Sequence, residues 1–395
     1  MKKSLLIFAP AMLASVASQA QRYNVVYIMT DDHTAQMMSC YDNRFVSTPN
    51  LDRIAADGVK FVNSFVANSL SGPSRACMIT GKHSHKNGFT NNEHGIFDGS
   101  QQTMPKLMQK AGYQTAIIGK WHLVSTPTGF DYFNILPAQG DYYNPNFINM
   151  DGSQTREKGY VTNIVTDKAI DWMEHKRDKS KPFILFIHHK ACHRNWLPEL
   201  KYLREYEDKT FAMPENFYDD YEGRDAAKTA EMQIDKHMDI VYDTKMYTPG
   251  ANTLLTPNYT NMIGRLDSRD RAEYDYFYDS LTLDFNTGKT LAEFKYQRYM
   301  RDYAKVVKTL DDNIGRTLDY LKTAGLLDST LVVYTSDQGF YMGEHGWFDK
   351  RFMYEESFNT PLVMRLPKGL NAHGDIKEMV QNIDYAPTFL DLAGA

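Results

Sequence analysis

Ser71-Gly72-Pro73-Ser74-Arg75 opens the stretch around which this chain is organised, and it continues as Ala76-Cys77-Met78-Ile79-Thr80-Gly81-Lys82. Before it, residues 59–66 alternate apolar and polar as a strand does; after Pro73 no breaker occurs until Gly81. A strand, a turn and a short helix are expected, with Ser71 just ahead of the helix N-terminus. Backbone N–H groups gather there and favour negative charge, and Arg75, one turn on, adds a guanidinium for a bound anion or a developing oxyanion. Taken alone, the pentapeptide also reads as an ordinary Ser/Gly/Pro turn before a helix.

Other segments repeat one design, an apolar strand that ends in chemistry-bearing side chains. Tyr23-Asn24-Val25-Val26-Tyr27-Ile28-Met29-Thr30 is a β-branched and aromatic run ending in Asp31-Asp32-His33. Two adjacent carboxylates repel each other and call for a cation, and oxygen ligands suit Ca²⁺ or Mg²⁺. Residues 48–58 then form a helix closed by Gly58, so the chain starts as a βαβ unit. Residues 115–118 lead to Gly119-Lys120-Trp121-His122, where Lys and His two apart on extended backbone face one side and reach one anion. Residues 182–187 run into His188-His189-Lys190-Ala191-Cys192-His193-Arg194. A zinc cluster is disfavoured there because the His spacing follows a strand and does not lie along a helical face. Residues 330–335 end in Ser336-Asp337-Gln338-Gly339, a further carboxylate with an amide oxygen.

Between these segments, residues 88–94 read as a polar loop at the mouth of a site. Residues 104–112 and the amphipathic 163–175 read as helices. Residues 197–295 lose clear periodicity and read as an insertion over the core, with short helices such as 226–238. Residues 296–324 carry Tyr303, Val306, Val307, Leu310, Ile314, Leu318 and Leu321 at helical spacing, and residues 383–393 form a last helix.

With 395 residues, 42% of them apolar, the chain is long enough for a large core, and its formal charge of −5 gives no basic footprint for nucleic acid. Cys40, Cys77 and Cys192 are an odd number at unrelated spacings, so neither a disulfide framework nor a cysteine zinc site is expected. Met1-Lys2-Lys3, a short apolar core and Ser18-Gln19-Ala20 form a signal peptide over residues 1–20. The apolar run is too short to span a bilayer and no Cys follows the cut to carry a lipid, so residues 21–395 are expected as a periplasmic or secreted catalytic domain.

The pentapeptide with its Thr-Gly tail resembles the signature of the type I sulfatases of the alkaline-phosphatase superfamily, in which its first residue, Cys or Ser, is oxidised to formylglycine. Gly119-Lys120-Trp121-His122 and the Gly343-Glu344-His345-Gly346…Lys350…Tyr354-Glu355…Pro361 order are similar to two further blocks of that family. Two positions depart from it: Cys192 stands where a Pro commonly precedes the His, and Gln338 where Asn is common.

The resemblance implies an α/β fold with a large central mostly parallel sheet flanked by helices. It also implies one Ca²⁺, with Mg²⁺ as the lesser choice, held by Asp31, Asp32, Ser71, Asp337 and Gln338. In the implied chemistry Ser71 is converted to the aldehyde and hydrated; one oxygen attacks sulfur and the other helps expel sulfate. Arg75 and Lys120 position the hydrate, His122 takes the proton in the elimination, His193 protonates the leaving group and Lys350 binds sulfate. His345 is expected in a structural or supporting role. A radical-type, Ser-type formylglycine-generating maturase is the implied partner.

Residues 80–93 look similar to the N-acetylglucosamine-6-sulfatase branch, which implies a 6-O-sulfated N-acetylglucosamine or glucosamine of heparan, keratan or mucin type. Two alternatives stand beside it: a phosphoester or phosphonate hydrolase of the same fold, and a catalytically silent protein that binds sulfated glycans. Sulfatases of this kind usually continue into a smaller C-terminal subdomain. That part is expected to be absent or truncated here, with lower stability and weaker substrate binding as the consequence.

Overall fold

The computed structural model describes residues 22–246, 252–281 and 289–395. The expected signal peptide lies outside the described residues. Ten strands form one sheet in the order β11-β2-β10-β9-β1-β8-β4-β5-β6-β7. In chain order they are β1 (Asn24–Thr30), β2 (Val59–Phe61), β4 (Gln114–Lys120), β5 (Tyr132–Leu136), β6 (Asn146–Ile148), β7 (Gln154–Arg156), β8 (Phe183–His188), β9 (Thr330–Ser336), β10 (Leu362–Arg365) and β11 (Gly374–Ile376); β3 (Ser64–Phe65) and β12 (Val380–Gln381) pair separately. Residues 59–66 thus form two short strands, β2 and β3, and the alternation crosses a bend between them.

The centre of the sheet, β9-β1-β8-β4-β5, is parallel throughout, while β10 runs antiparallel between β9 and β2. These central strands are buried on both faces, which explains their continuous apolar runs.

The helices are α1 (Pro49–Ala56), α2 (Ser71–Thr80), α3 (Ser84–Asn87), α4 (Met104–Lys110), α5 (Val161–Asp171), α6 (Asp225–Lys228), α7 (Thr256–Ile263), α8 (Ser268–Asp279), α9 (Lys289–Thr323), α10 (Glu355–Phe358) and α11 (Tyr385–Ala393). One core packs α5 and α9 on one face of the sheet through Val165, Trp172, Tyr299, Tyr303, Val307 and Leu310; the other packs α2, α4 and α11 on the opposite face through Ala76, Met78, Met108 and Phe389. Helix α9 begins seven residues ahead of the sequence expectation, because residues 289–295 contain neither Gly nor Pro and continue the turn.

Residues 197–246 are mostly turns whose Leu197, Leu203, Phe211 and Val241 add to the α9-side core. The helix expected over 226–238 is reduced to the four residues of α6. Its remainder is held as turns by partners that a regular helix would not reach, such as Ile234 N–H to the Gly346 carbonyl at 2.8 Å. Among the described residues, no helix is long and apolar enough to cross a membrane.

Candidate active site

The four adjacent strands β9, β1, β8 and β4 all end at the same edge, and each delivers polar side chains there. Register makes the edge flush: Thr30 pairs with Ser336, and Met29 and Gly119 both pair with His188. Beyond those ends the loops are tied to one another, with Asp31 N–H to the Ala191 carbonyl at 2.8 Å and Asp337 N–H to the Thr30 carbonyl at 3.0 Å. Helix α9 supports the loop from beneath, where the Tyr303 hydroxyl donates to the Asp32 carbonyl at 2.5 Å. Ligand sites of open α/β sheets lie at this carboxyl edge.

Helix α2 aims its N-terminus into the same place, and Ser71 is its first residue, not the one before it. Pro73 is tolerated because the first turn has no intrahelical use for its N–H. Gly72 is required by space: a Cβ there would lie 2.6 Å from the Phe89 ring and 2.7 Å from Asn92 Oδ1. That closeness lets Gly72 N–H donate to Asn92 Oδ1 at 3.0 Å.

The Ser71 hydroxyl donates to Asp31 Oδ1 at 2.9 Å, and Gln338 Nε2 lies 3.1 Å from the same hydroxyl oxygen. Arg75 is fully buried and spends Nε and Nη2 on Asp337 Oδ2, at 3.0 and 2.8 Å, and Nη1 on the Lys120 carbonyl at 2.8 Å. Lys120 contacts Asp31 Oδ2, and Lys350 Nζ donates to Asp32 Oδ2 at 2.6 Å. His193 Nδ1 donates to the Arg194 carbonyl at 2.6 Å, which leaves Nε2 facing Asp32 Oδ2 at 4.0 Å. The structure therefore brings together every sequence-expected residue from Asp31 to Lys350, including Ser71, Arg75, Lys120, His122, His193, Asp337 and Gln338. Asp32, His122 and Asp349 hold left-handed backbone, at φ 62°, 56° and 80°. Such strain gathers where side-chain direction matters more than backbone comfort.

Burial sets the protonation of these groups. Asp32 is pushed up to about 6 by burial, against the pull of Lys350. Lys120 is pushed well below the ordinary lysine value by burial. His122 is driven down by burial and then by Lys120, Arg75, Lys350 and Lys190, and His193 by burial and then by Lys120, Lys350 and Lys190. Burial and the neighbouring cations disfavour the charged form of both imidazoles, and of these cations Lys120, Lys350 and Arg75 are in turn paired with Asp31, Asp32 and Asp337.

The residues fit a divalent cation. Asp31, Asp32 and His193 each offer a ligand atom, and these atoms lie within 4.8 Å of one another. The Gln338 amide turns its nitrogen toward Asp31 and Asp32 and leaves Oε1 buried without a partner. Rotating the amide would give that orphaned oxygen to a cation beside the two carboxylates. Asp337 has both oxygens engaged, Oδ2 by Arg75 and Oδ1 by the Asp32 N–H at 3.2 Å.

Among the described residues, the His188, His189 and His193 run forms no zinc cluster; His188 Nδ1 turns to Arg75 and the Lys120 carbonyl. His345 pairs with Asp219 Oδ2 at 2.6 Å and packs against Tyr354 and Trp347.

Sequence reasoning missed Gln139 and Lys190. Gln139 follows β5 without any motif, and Lys190 stood unremarked in a run dominated by histidines. A cavity of about 530 Å³ opens beside His122 and Asn92, walled by Trp121, Phe133, Ile148 and Met150.

Comparison with known proteins identifies this arrangement. The sulfatase family model matches residues 23–395. The chain is 49% identical over 403 residues to N-acetylglucosamine-6-O-sulfatase of Bacteroides thetaiotaomicron, covering 99% of this chain and 72% of that one. It is 26% identical to human N-acetylglucosamine-6-sulfatase, covering 96% of this chain and 62% of the human one. A protein solved in complex with its substrate D-glucosamine-2-N,6-O-disulfate superposes with a TM-score of 0.88 at 49% identity, over 95% of this chain and 77% of that chain. A phosphonate monoester hydrolase from Silicibacter pomeroyi shares the fold, with a TM-score of 0.66 at 20% identity over 94% of this chain and 73% of its own. The family generally binds a divalent metal ion, as the buried Asp31 and Asp32 with the half-buried His193 allow. This chain belongs to the sulfatase family and is a sulfuric ester hydrolase.

Proposed function

We propose that this chain removes the 6-O-sulfate of N-acetylglucosamine or glucosamine units in sulfated host glycans, through a formylglycine hydrate derived from Ser71. The contact of Ser71 with Asp31 and Gln338 at the α2 N-terminus is the observation that carries the reading. The 49% identity to a relative named for 6-O-desulfation of N-acetylglucosamine supports the substrate.

In this reading Asp31, Asp32, Asp337, Gln338 and residue 71 would hold Ca²⁺, which would supply positive charge to offset the negative charge that develops in the pocket. Arg75 and Lys120 hold the hydrate in place, Lys350 binds a sulfate oxygen, and His193, which keeps its Nδ1–H on the Arg194 carbonyl, gains a proton on Nε2 beside the anionic substrate and gives it to the departing sugar oxygen. His122 then takes the proton of the remaining hydroxyl, so that the aldehyde returns and sulfate leaves. A plain serine ester has no second hydroxyl and would keep its sulfate. The reading therefore includes a Ser-type radical maturase, together with export to the periplasm or outside the cell.

Matured protein incubated with D-glucosamine-2-N,6-O-disulfate is expected to lose the 6-O-sulfate alone, followed by NMR of the sugar. Loss of the N-sulfate, or release of phosphate from a 6-phosphate and none from the sulfate, would refute the assignment.

A further inference from the structure

Asn92 joins the cavity beside the active site to the start of helix α2. Its Oδ1 accepts from the Gly72 N–H at 3.0 Å. A backbone N–H can only donate, so this contact fixes which end of the amide is oxygen. The NH₂ end makes no hydrogen bond among the described residues and is left as a donor for whatever enters the cavity of about 530 Å³ that Asn92 lines. The turn that carries Asn92 is itself tied down, because Asn91 Oδ1 accepts from the N–H groups of Glu93 at 3.0 Å and His94 at 2.8 Å. A fixed amide donor therefore stands one hydrogen bond from the residue that follows Ser71.

The walls define what such a donor can serve. Trp121, Phe133, Ile148 and Met150 are apolar, and no Lys, Arg, Asp or Glu lines the cavity among the described residues. The cations gather instead at Asp31, Asp32 and Asp337. Val124, also in the wall, is 62% exposed and holds a left-handed φ of 58°, a costly conformation for a β-branched side chain. An N-sulfo group entering this cavity would give up water without meeting a cation, which is unfavourable. An acetamido group fits, with its carbonyl on the amide donor and its methyl on the apolar wall.

We propose that this cavity is the subsite for the N-acyl group of the 6-O-sulfated sugar, with Asn92 Nδ2 donating to the acyl carbonyl, so that the chain selects N-acylated over N-sulfated glucosamine. The inference rests on the reading of the chain as a 6-O-desulfating enzyme of these sugars and narrows its substrate. Because the cavity is larger than one methyl group needs, a longer acyl chain is accepted as well.

The test compares kcat/KM for 6-O-desulfation by matured protein of glucosamine-6-sulfate, its N-acetyl and N-butanoyl forms, and D-glucosamine-2-N,6-O-disulfate. The native chain is expected to favour the N-acetyl over the N-sulfo sugar by about tenfold or more, through KM, and to take the N-butanoyl form as readily as the N-acetyl. Asn92→Asp keeps an acceptor for the Gly72 N–H and replaces the donor by a second acceptor. It is expected to abolish the advantage of the N-acetyl sugar over unsubstituted glucosamine-6-sulfate, which has no carbonyl to be read. Thr126→Arg, on the exposed part of the cavity wall, supplies the missing cation and is expected to shift preference several-fold toward the N-sulfo sugar. An equal fall on every substrate in the Asn92→Asp chain would leave Asn92 as a support of the helix start and overturn the proposal. A native chain that takes the N-sulfo sugar as well as the N-acetyl would overturn it too. If none of the substrates loses its 6-O-sulfate, the underlying reading falls first.

Discussion

Lys350 Nζ stands 2.6 Å from Asp32 Oδ2, although 318 residues of sequence separate them. Asp31 is matched in the same way by Lys120. Each of the three carboxylates expected to hold the cation is therefore met by a cationic side chain: Asp31 by Lys120, Asp32 by Lys350 and Asp337 by the Arg75 guanidinium. These opposite charges neutralise one another in a buried site, where an unpaired charge would be costly. Replacing Lys350 by Met is predicted to lower kcat/KM by about 10²- to 10³-fold, the range for removing one group that stabilises developing negative charge. Cation affinity should not weaken, because the variant removes a competitor of the cation. Initial rates and a calcium titration of the melting temperature check both halves.

The orphaned Gln338 Oε1 leads to a second prediction. Calcium should raise the melting temperature of the native chain, with about 2.7 kcal/mol of stabilisation at a hundredfold excess over Kd. Gln338→Leu, which fills the space without an oxygen, should need at least tenfold more calcium for the same shift. Equal titrations for the two proteins would exclude Gln338 as a ligand.

The sequence made the central site legible for a physical reason. Asp31 and Asp337 follow a buried parallel strand and Lys120 ends one, and the apolar runs that identify those strands also place these residues at the carboxyl edge. Ser71 was legible as a helix start through the Gly and Pro that follow it, and as a reactive position through the resemblance of its pentapeptide to the sulfatase signature. The segment after Leu197 was not, because its buried residues pack against α9 and Trp347 at no fixed period. Gln139 was not legible either, since its place in the site arises from three partners, Lys120, His122 and Lys190, that sit 17 to 51 residues away and meet only when β5 lies beside β4.

His193 offers Nε2 toward the pocket and anchors Nδ1 on the Arg194 carbonyl. As a proton donor it should matter only where the leaving oxygen is basic. His193→Ala is predicted to cost on the order of 10²-fold or more with a sugar sulfate and little with an aryl sulfate whose phenol is acidic. Equal losses on the two substrates would assign His193 to binding alone.

Asp302 ties the 197–246 segment to α9. It accepts from Lys245 Nζ at 3.0 Å and from Arg298 Nη2 at 2.9 Å, with Lys305 at 3.3 Å, all deeply buried. Lys245 also donates to the Asn195 carbonyl at 2.5 Å, in the loop that carries His193. Burial alone would raise the Asp302 carboxyl, but Lys245, Arg298 and Lys305 outweigh it and hold it well below the usual range. A depressed carboxyl gives stability that is full above the unfolded value, near 4, and lost as pH falls below it. Melting temperature should therefore drop steeply on acidification below about pH 4. Lys245→Met should cost about 3–5 kcal/mol at neutral pH, since it leaves Asp302 short of a partner. A variant as stable as the native chain in urea melts would contradict this.

Mass spectrometry of the peptide containing Ser71, from catalytically active protein co-expressed with a Ser-type maturase, tests the central claim most directly. The account predicts the loss of two hydrogens at residue 71, trapped by a carbonyl reagent in a fraction that scales with turnover. Full turnover by protein whose residue 71 is entirely serine would contradict it.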